Sequence, residues 1–270
     1  IWTLRDGPLV VSCHRTLDRA LSYARQAEEL AEGNDDLNRV VVVLFGGLSF
    51  ALPGIMASHM PTVPVIGVPA YSGSINGGDF DATTGVYNLP PGTVVGGAPQ
   101  HSYESPSLDK AVLIAEKILN TSNQQANVSG PEDILEKLTG LLGRKKLGVP
   151  HSSSSVPEEN AVNLNVSDRP ERLVAWNNAS YLALQCVLPG KEGSSDERTG
   201  EFANTIWELD LTDNTLYFGR PENAALFLAR VMGVASPGLR ERLRQYRVKE
   251  QESTAAKYGA ERSVTMDDFM

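Results

Sequence analysis

Four consecutive residues, Ser12-Cys13-His14-Arg15, place a hydroxyl, a thiol, an imidazole and a guanidinium side by side. Of these groups the imidazole is the one whose ordinary pKa, about 6.5, lies near working pH, which makes His14 the first candidate for proton chemistry. A lone histidine at the end of a strand is also a common hydrogen-bonded structural residue, and the four residues alone leave both readings open.

The flanking residues say how such a group is held. An apolar run, Leu9 to Val11, breaks at the small and polar residues and passes into Leu17, Leu21, Ala24, Ala27 and Leu30 at helical spacing, which predicts strand, tight turn, helix. In an open parallel α/β sheet the carboxyl ends of the strands line the ligand crevice, so His14 and Arg15 are expected to project into it. Val40 to Leu44 is a continuous apolar run that fits a strand covered on both faces, and it ends in a glycine-rich turn, Gly46 to Gly54. Glycines at a strand's carboxyl end let backbone approach a ligand, and the start of the next helix offers N–H groups to an anion; an ordinary tight turn fits equally well. A helix over Leu52 to His59 leads into a short buried strand, Val63 to Pro69. The loop after it, Ala70 to Asp81, carries Tyr71, Ser72, Ser74, Asn76 and Asp79 and reads as a ligand lid or a solvated connection. Gly92 to Gly97 predicts a further strand, and Ser107 caps a helix that runs to Leu119. The βαβα order predicts a doubly wound parallel α/β domain over residues 1–119.

Residues 120–170 read as a linker holding one short helix, Pro131 to Leu142, and the low-complexity run His151 to Ser155. Over 171–270 the pattern predicts a strand at Tyr181 to Leu188, a Gly193-Ser194-Ser195-Asp196 turn opening a helix to about Leu209, a strand at Thr215 to Phe218, and helices over Asn223 to Met232 and Leu239 to about Ala256, the last highly charged.

A net charge of −9 argues against general binding to a phosphate backbone, so no nucleic-acid partner is expected. Cys13 and Cys186 are the only cysteines, too few for a disulfide framework or a four-cysteine zinc site, and a reducing, cytoplasmic compartment follows as the simpler reading. No apolar run approaches the ~20 residues that span a bilayer, and the opening residues lack the pattern of a secretory leader.

Taken together, these stretches resemble the phosphoribosylaminoimidazole carboxylase, or PurE, family. Ser12-Cys13-His14-Arg15 is similar to its Ser-Ala-His-Arg/Lys motif, Gly46 to Gly54 to its glycine-rich turn before Leu-Pro-Gly, Gly67-Val68-Pro69 to its Gly-Val-Pro strand end, and Leu89-Pro90-Pro91-Gly92 to its Met-Pro-x-Gly. Asn223 to Arg230, with Tyr246 and Arg247 downstream, also looks like the family's closing helices, so that element appears twice, at 107–119 and 223–232. The family's opening strand and Gly-Ser-x-Ser-Asp are not found before Leu9, whereas Leu184 to Asp196 looks like a degenerate form of them. Residue pairs at an offset of 205, such as Trp2 and Trp207, Arg15 and Arg220, Ala20 and Ala225, fit a duplication with internal loss. On this reading 171–270 is a degenerate copy that completes the first sheet by returning Ala183–Val187 beside Leu9–Val11; an independent second domain is the rival.

The resemblance implies a flavodoxin-like, three-layer fold whose carboxyl-terminal segment completes the sheet and extends in helices. It implies carboxylate exchange on an aminoimidazole ribonucleotide, part of purine biosynthesis, with carbon dioxide as co-substrate and no metal or organic cofactor. His14 would move the proton at the reacting carbon, Ser12 and Arg15 would position it and the substrate, and Gly47, Ser49, Ala70 and Ser72, with Ser194 or Asp196 if they return, would hold phosphate and ribose. A homo-oligomer, an octamer by resemblance, is expected. Two departures stand out: the family's mutase branch has His where Ala51 stands, and its direct carboxylase branch has Arg and Asn where Leu48 and Phe50 stand. A more apolar pocket with His14 retained admits two alternatives, a decarboxylase of a different, less anionic small acid, and a non-catalytic scaffold subunit.

Overall fold

Runs of β-branched residues alternate with stretches of helical spacing, and the chain folds accordingly into strands crossed by helices. The computed structural model describes residues 14–33, 38–47, 50–70, 82, 85–87, 89–98, 107–122, 125–158, 161–167, 182–188 and 215–258. The first half holds α1 (Leu17–Glu32), β1 (Val42–Gly46), α2 (Leu52–His59), β2 (Val65–Pro69), β3 (Gly96–Gly97) and α3 (Ser107–Leu119). The second holds β4 (Ala126–Ser129), α4 (Glu132–Leu142), β5 (His151–Ser152), β6 (Val162–Ser167), β7 (Ala183–Val187), β8 (Thr215–Phe218), α5 (Pro221–Gly233) and α6 (Pro237–Tyr258).

The strands form one eight-stranded sheet in the order β1-β2-β3-β8-β7-β6-β4-β5. All neighbours are parallel except β3 and β8, which meet antiparallel through Gly97 and Tyr217. Within the second half alone the order is β5-β4-β6-β7-β8, the 2-1-3-4-5 order of a flavodoxin-like sheet. About the β3–β8 seam the order is palindromic: β1-β2-β3 on one side faces β8-β7-β6 on the other, and the last strand of each set leads to a 13-residue helix, α3 or α5.

Alternation along the strands sends side chains to two cores. Ile66 and Val68 of β2, Val162, Leu164 and Val166 of β6, and Leu216 and Phe218 of β8 pack under α3, α4 and α5. Val65, Val187 and Tyr217 face the other way, where α1 and α2 pack with Ala20, Ala24, Met56 and Ala57. Small residues on α1 let that helix lie close against α2. This is the three-layer, mostly parallel α/β fold the sequence predicts.

Two expectations are corrected. Residues 120–170 are not a linker: three of the eight strands, β4, β5 and β6, lie there with α4 between them. Their polarity has a physical reason, because Asn127, Asn163, Asn165 and Ser167 occupy every second position and all are buried on one face of the sheet. Asn127 and Asn163 bond each other at 3.1 Å, and Asn127 also holds Ser154 N at 3.0 Å and Val156 O at 2.9 Å. Secondly, Ala183–Val187 does not complete the first sheet by lying beside Leu9–Val11. Leu9–Val11 lie outside the described residues, yet β7 has both edges taken, by β6 and β8, and a strand has only two. The seam also equates β3–α3 with β8–α5 and so aligns the two closing helices of 107–119 and 223–232, which is a different register from the offset of 205.

Candidate active site

The His14 turn is set by the helix that follows it. Thr16 closes the first turn of α1, its carbonyl accepting the N–H groups of Arg19 and Ala20 at 3.1 Å each. His14 and Arg15 precede it in a turn and are exposed. At the other end of α1, Glu28 accepts the N–H of Thr62 at 3.3 Å and its hydroxyl. Thr62 lies just before β2, so the end of α1 sits at the amino end of that strand. A helix rises about 1.5 Å per residue, and the turn therefore lies toward the carboxyl ends of the strands.

Those carboxyl ends bring Gly47 and Ala70 together. The N–H of Ala70 donates to Gly46 O at 2.7 Å, continuing the β1–β2 ladder past Pro69, and a Cβ on Gly47 would stand 3.9 Å from Ala70 O, with ordinary room. Crowding is at Gly46, where the Phe50 ring occupies the space a side chain would need. Phe50 is 5% exposed and belongs to the core under α1 and α2. Its apolar side chain fills the interior, so the replacement of Asn at this position does not by itself make a more apolar crevice.

Next to β3, the Tyr87 ring fills the position of a side chain at Gly97, and its hydroxyl donates to Ala98 O at 2.8 Å. Burial, with Tyr217 beside it, pushes the Tyr87 phenol well above its ordinary range, so it stays a neutral donor. Burial also raises the Cys186 thiol, with Glu222 adding to the shift, which makes it an inert core group.

Of the predicted site residues, the structure thus pairs Gly47 with Ala70 and sets His14 and Arg15 on the turn before α1. Ser12, Ser49, Ser72, Ser194 and Asp196 lie outside the described residues, as do the remainder of the 70–81 loop and the 193–196 turn. Sequence reasoning missed the clasp on the Leu89–Gly92 turn. Asn223 Oδ1 accepts the N–H of Gly92 at 2.9 Å, and Arg220 Nε donates to Leu89 O at 2.9 Å. The available signal was a glycine after Pro90-Pro91, and Gly92 does take a left-handed φ of +83°. Among the described residues no helix is long and apolar enough to cross a membrane.

Comparison with known proteins agrees with this layout. The family model described as AIR carboxylase matches residues 7–129. The N5-carboxyaminoimidazole ribonucleotide mutase of Pyrococcus horikoshii is 35% identical over 112 residues, 41% of this chain and 54% of that protein. The mutase of the same name from Mycobacterium tuberculosis is 33% identical over 148 residues, 50% of this chain and 76% of the relative. The one from Escherichia coli is 33% identical over 116 residues, 43% of this chain and 61% of that protein. The chain spans about half the length of the first of these. No solved structure matches. The identity to the mycobacterial protein over three quarters of its length, the family match across the His14 turn and the flavodoxin-like strand order agree, and the chain belongs to the AIR carboxylase, or PurE, family.

Proposed function

We propose that this protein moves a carboxylate on an aminoimidazole ribonucleotide, as a mutase of the N5-carboxylated form, with His14 as the proton carrier. Family membership carries the reaction class. The exposed His14 turn, toward the strand ends where Gly47 and Ala70 meet, supports the residue.

The proton balance suits a single imidazole. When the carboxyl group leaves the exocyclic nitrogen as carbon dioxide, that nitrogen takes up one proton. When the ring carbon captures the carbon dioxide it becomes tetrahedral, and loses one proton as the ring recovers its aromaticity. An imidazolium that gives the first proton and an imidazole that takes the second end as they began, with no net consumption. Arg15 beside it offers a guanidinium to the carboxylate or phosphate, and the backbone at Gly47 can approach the substrate closely. Ser12, Ser49 and Ser72 are proposed to hold ribose and phosphate, and Ser194 and Asp196 keep the same proposed role. A homo-oligomer is proposed on the same footing.

The relatives are named mutases, which favours carboxylate transfer over release of carbon dioxide from another acid. The alternative of a less anionic acid rested on Leu48 and Phe50, and the interior position of Phe50 removes one of its two supports.

Turnover of N5-carboxyaminoimidazole ribonucleotide, and of aminoimidazole ribonucleotide with bicarbonate, tests the reading directly. His14→Asn is expected to lower kcat by about 10²–10⁴-fold while substrate still binds. Equal turnover by the variant would exclude the proton-carrier role, and no turnover of either compound by the unaltered protein would remove the substrate class.

A further inference from the structure

At the other end of the sheet, by the amino ends of β2 and β3, a shallow open groove runs between the two halves. Pro61, Gly92 and Val94 line it from the first half, and Arg230, Tyr246 and Arg247 from the second. Arg230 lies on α5 and is 4% exposed. Its Nη1 donates to Val63 O and Val94 O, both at 3.3 Å, and its remaining N–H groups meet no acceptor among the described residues. Arg247, on α6, has its Nη1 beside the Gly92 turn, 3.4 Å from where a Cβ there would stand. It makes no hydrogen bond or ion pair with any described residue.

One acid shares the groove: Glu250 lines it beside Tyr246, whose phenol is raised first by burial and then by the Glu250 charge. Glu28, whose charge reaches Arg230, holds Thr62 and stands 3.5 Å from Arg244. Burial lowers the Arg230 guanidinium to about 9, Glu28 opposes that shift, and the like charge of Arg247 adds to it. Two cations and one carboxylate thus face one cavity, and the cation on α5 is almost wholly buried and only partly bonded.

We propose that this groove binds a small oxyanion, a phosphate or carboxylate group, between Arg230 and Arg247 at the seam of the two halves. A planar guanidinium with free N–H groups matches the paired oxygens of either ligand, and Tyr246 closes one side. The bound anion would relieve the repulsion between the arginines and fasten α5 and α6 to the Gly92 turn. It is separate from the His14 crevice, which lies toward the opposite ends of the strands.

Thermal unfolding of the full chain tests this, with inorganic phosphate and acetate titrated in separate arms at constant ionic strength set by chloride. A saturable rise in Tm of about 2–4 °C is expected at about ten times the dissociation constant of the anion that binds. Phosphate also stabilises proteins by exclusion from their surfaces, but that rise is linear and does not saturate. Arg247→Gln should abolish the saturable part, Arg247→Lys should restore some of it, and Arg15→Gln, which removes the guanidinium proposed to hold the substrate's anionic groups, should leave it unchanged, which separates this groove from the proposed active site. The acetate and phosphate arms identify which group is preferred. A saturable rise that survives in Arg247→Gln, or a purely linear rise in the unaltered chain for both anions, would overturn the proposal.

Discussion

Asn223 connects the halves through a single amide. Its Oδ1 accepts the N–H of Gly92, and its Nδ2 donates to Pro90 O at 3.2 Å and Leu89 O at 3.5 Å. The side chain is 5% exposed and the turn it holds is partly buried, so removing it leaves the Gly92 N–H without its acceptor. Asn223→Ala is expected to cost about 1–3 kcal/mol, read as a lower urea midpoint at unchanged slope. Asn223→Asp keeps the acceptor for Gly92 and loses both donors, and should fall between. The motif at Leu89–Gly92 and the start of the closing helix at Asn223 were each visible in the sequence, but not that one holds the other across some 130 residues. Likewise His14 stands out by its type and neighbours. Phe50, read from the sequence as a pocket residue, faces the interior, because which side of a turn an apolar ring takes depends on the helices that cover it.

Elements with a strong period were legible, and those with a mixed one were not. The helices at Leu52–His59 and Ser107–Leu119 follow from apolar spacing and capping residues and are found at the expected bounds. β4 and β6 were hidden because asparagines alternate with their valines, and burial of those asparagines depends on a network that only the folded chain assembles. The sequence marks α6 only as a highly charged helix. Its first turns dock: Leu239 and Leu243 enter the core, and Arg240 Nη1 donates to Gly233 O and Val234 O at 3.0 Å each while Nη2 reaches Gly33 O at 3.1 Å. Gly33 follows α1, so this guanidinium fixes the end of the helix whose beginning carries His14. Arg240→Met keeps much of the volume and removes three charge-assisted bonds; a loss of about 2–4 kcal/mol is expected. Amide exchange should quicken over Glu29–Gly33 more than over α4, and uniform quickening of both would show a general loosening instead.

At the scale of the whole molecule, the palindromic seam decides what can stand alone. Two sets of three strands meet through the antiparallel contact of β3 with β8, the arrangement in which like edges of two related units pair across a two-fold axis. Here both units belong to one chain. Their shared core reaches across: a Cβ on Gly96 of β3 would come 2.9 Å from the Leu216 side chain of β8 and 3.0 Å from the ring of Phe227 on α5, so neither half has a closed surface at that place. Ile66, Val68 and Val94 from the first half and Leu216, Phe227 and Val231 from the second lie in the same cluster and are almost wholly buried. Cut between α3 and β4, each piece would expose this apolar surface together with an unpaired strand edge, a combination that favours aggregation. Residues 1–122 and 123–270 expressed separately are therefore expected to be insoluble or to lack a cooperative melting transition, and co-expressed to purify as one complex with the unfolding profile of the intact chain. A sharp transition for residues 1–122 by themselves would mean that the first half closes its own core, and that the second serves some purpose other than completing it.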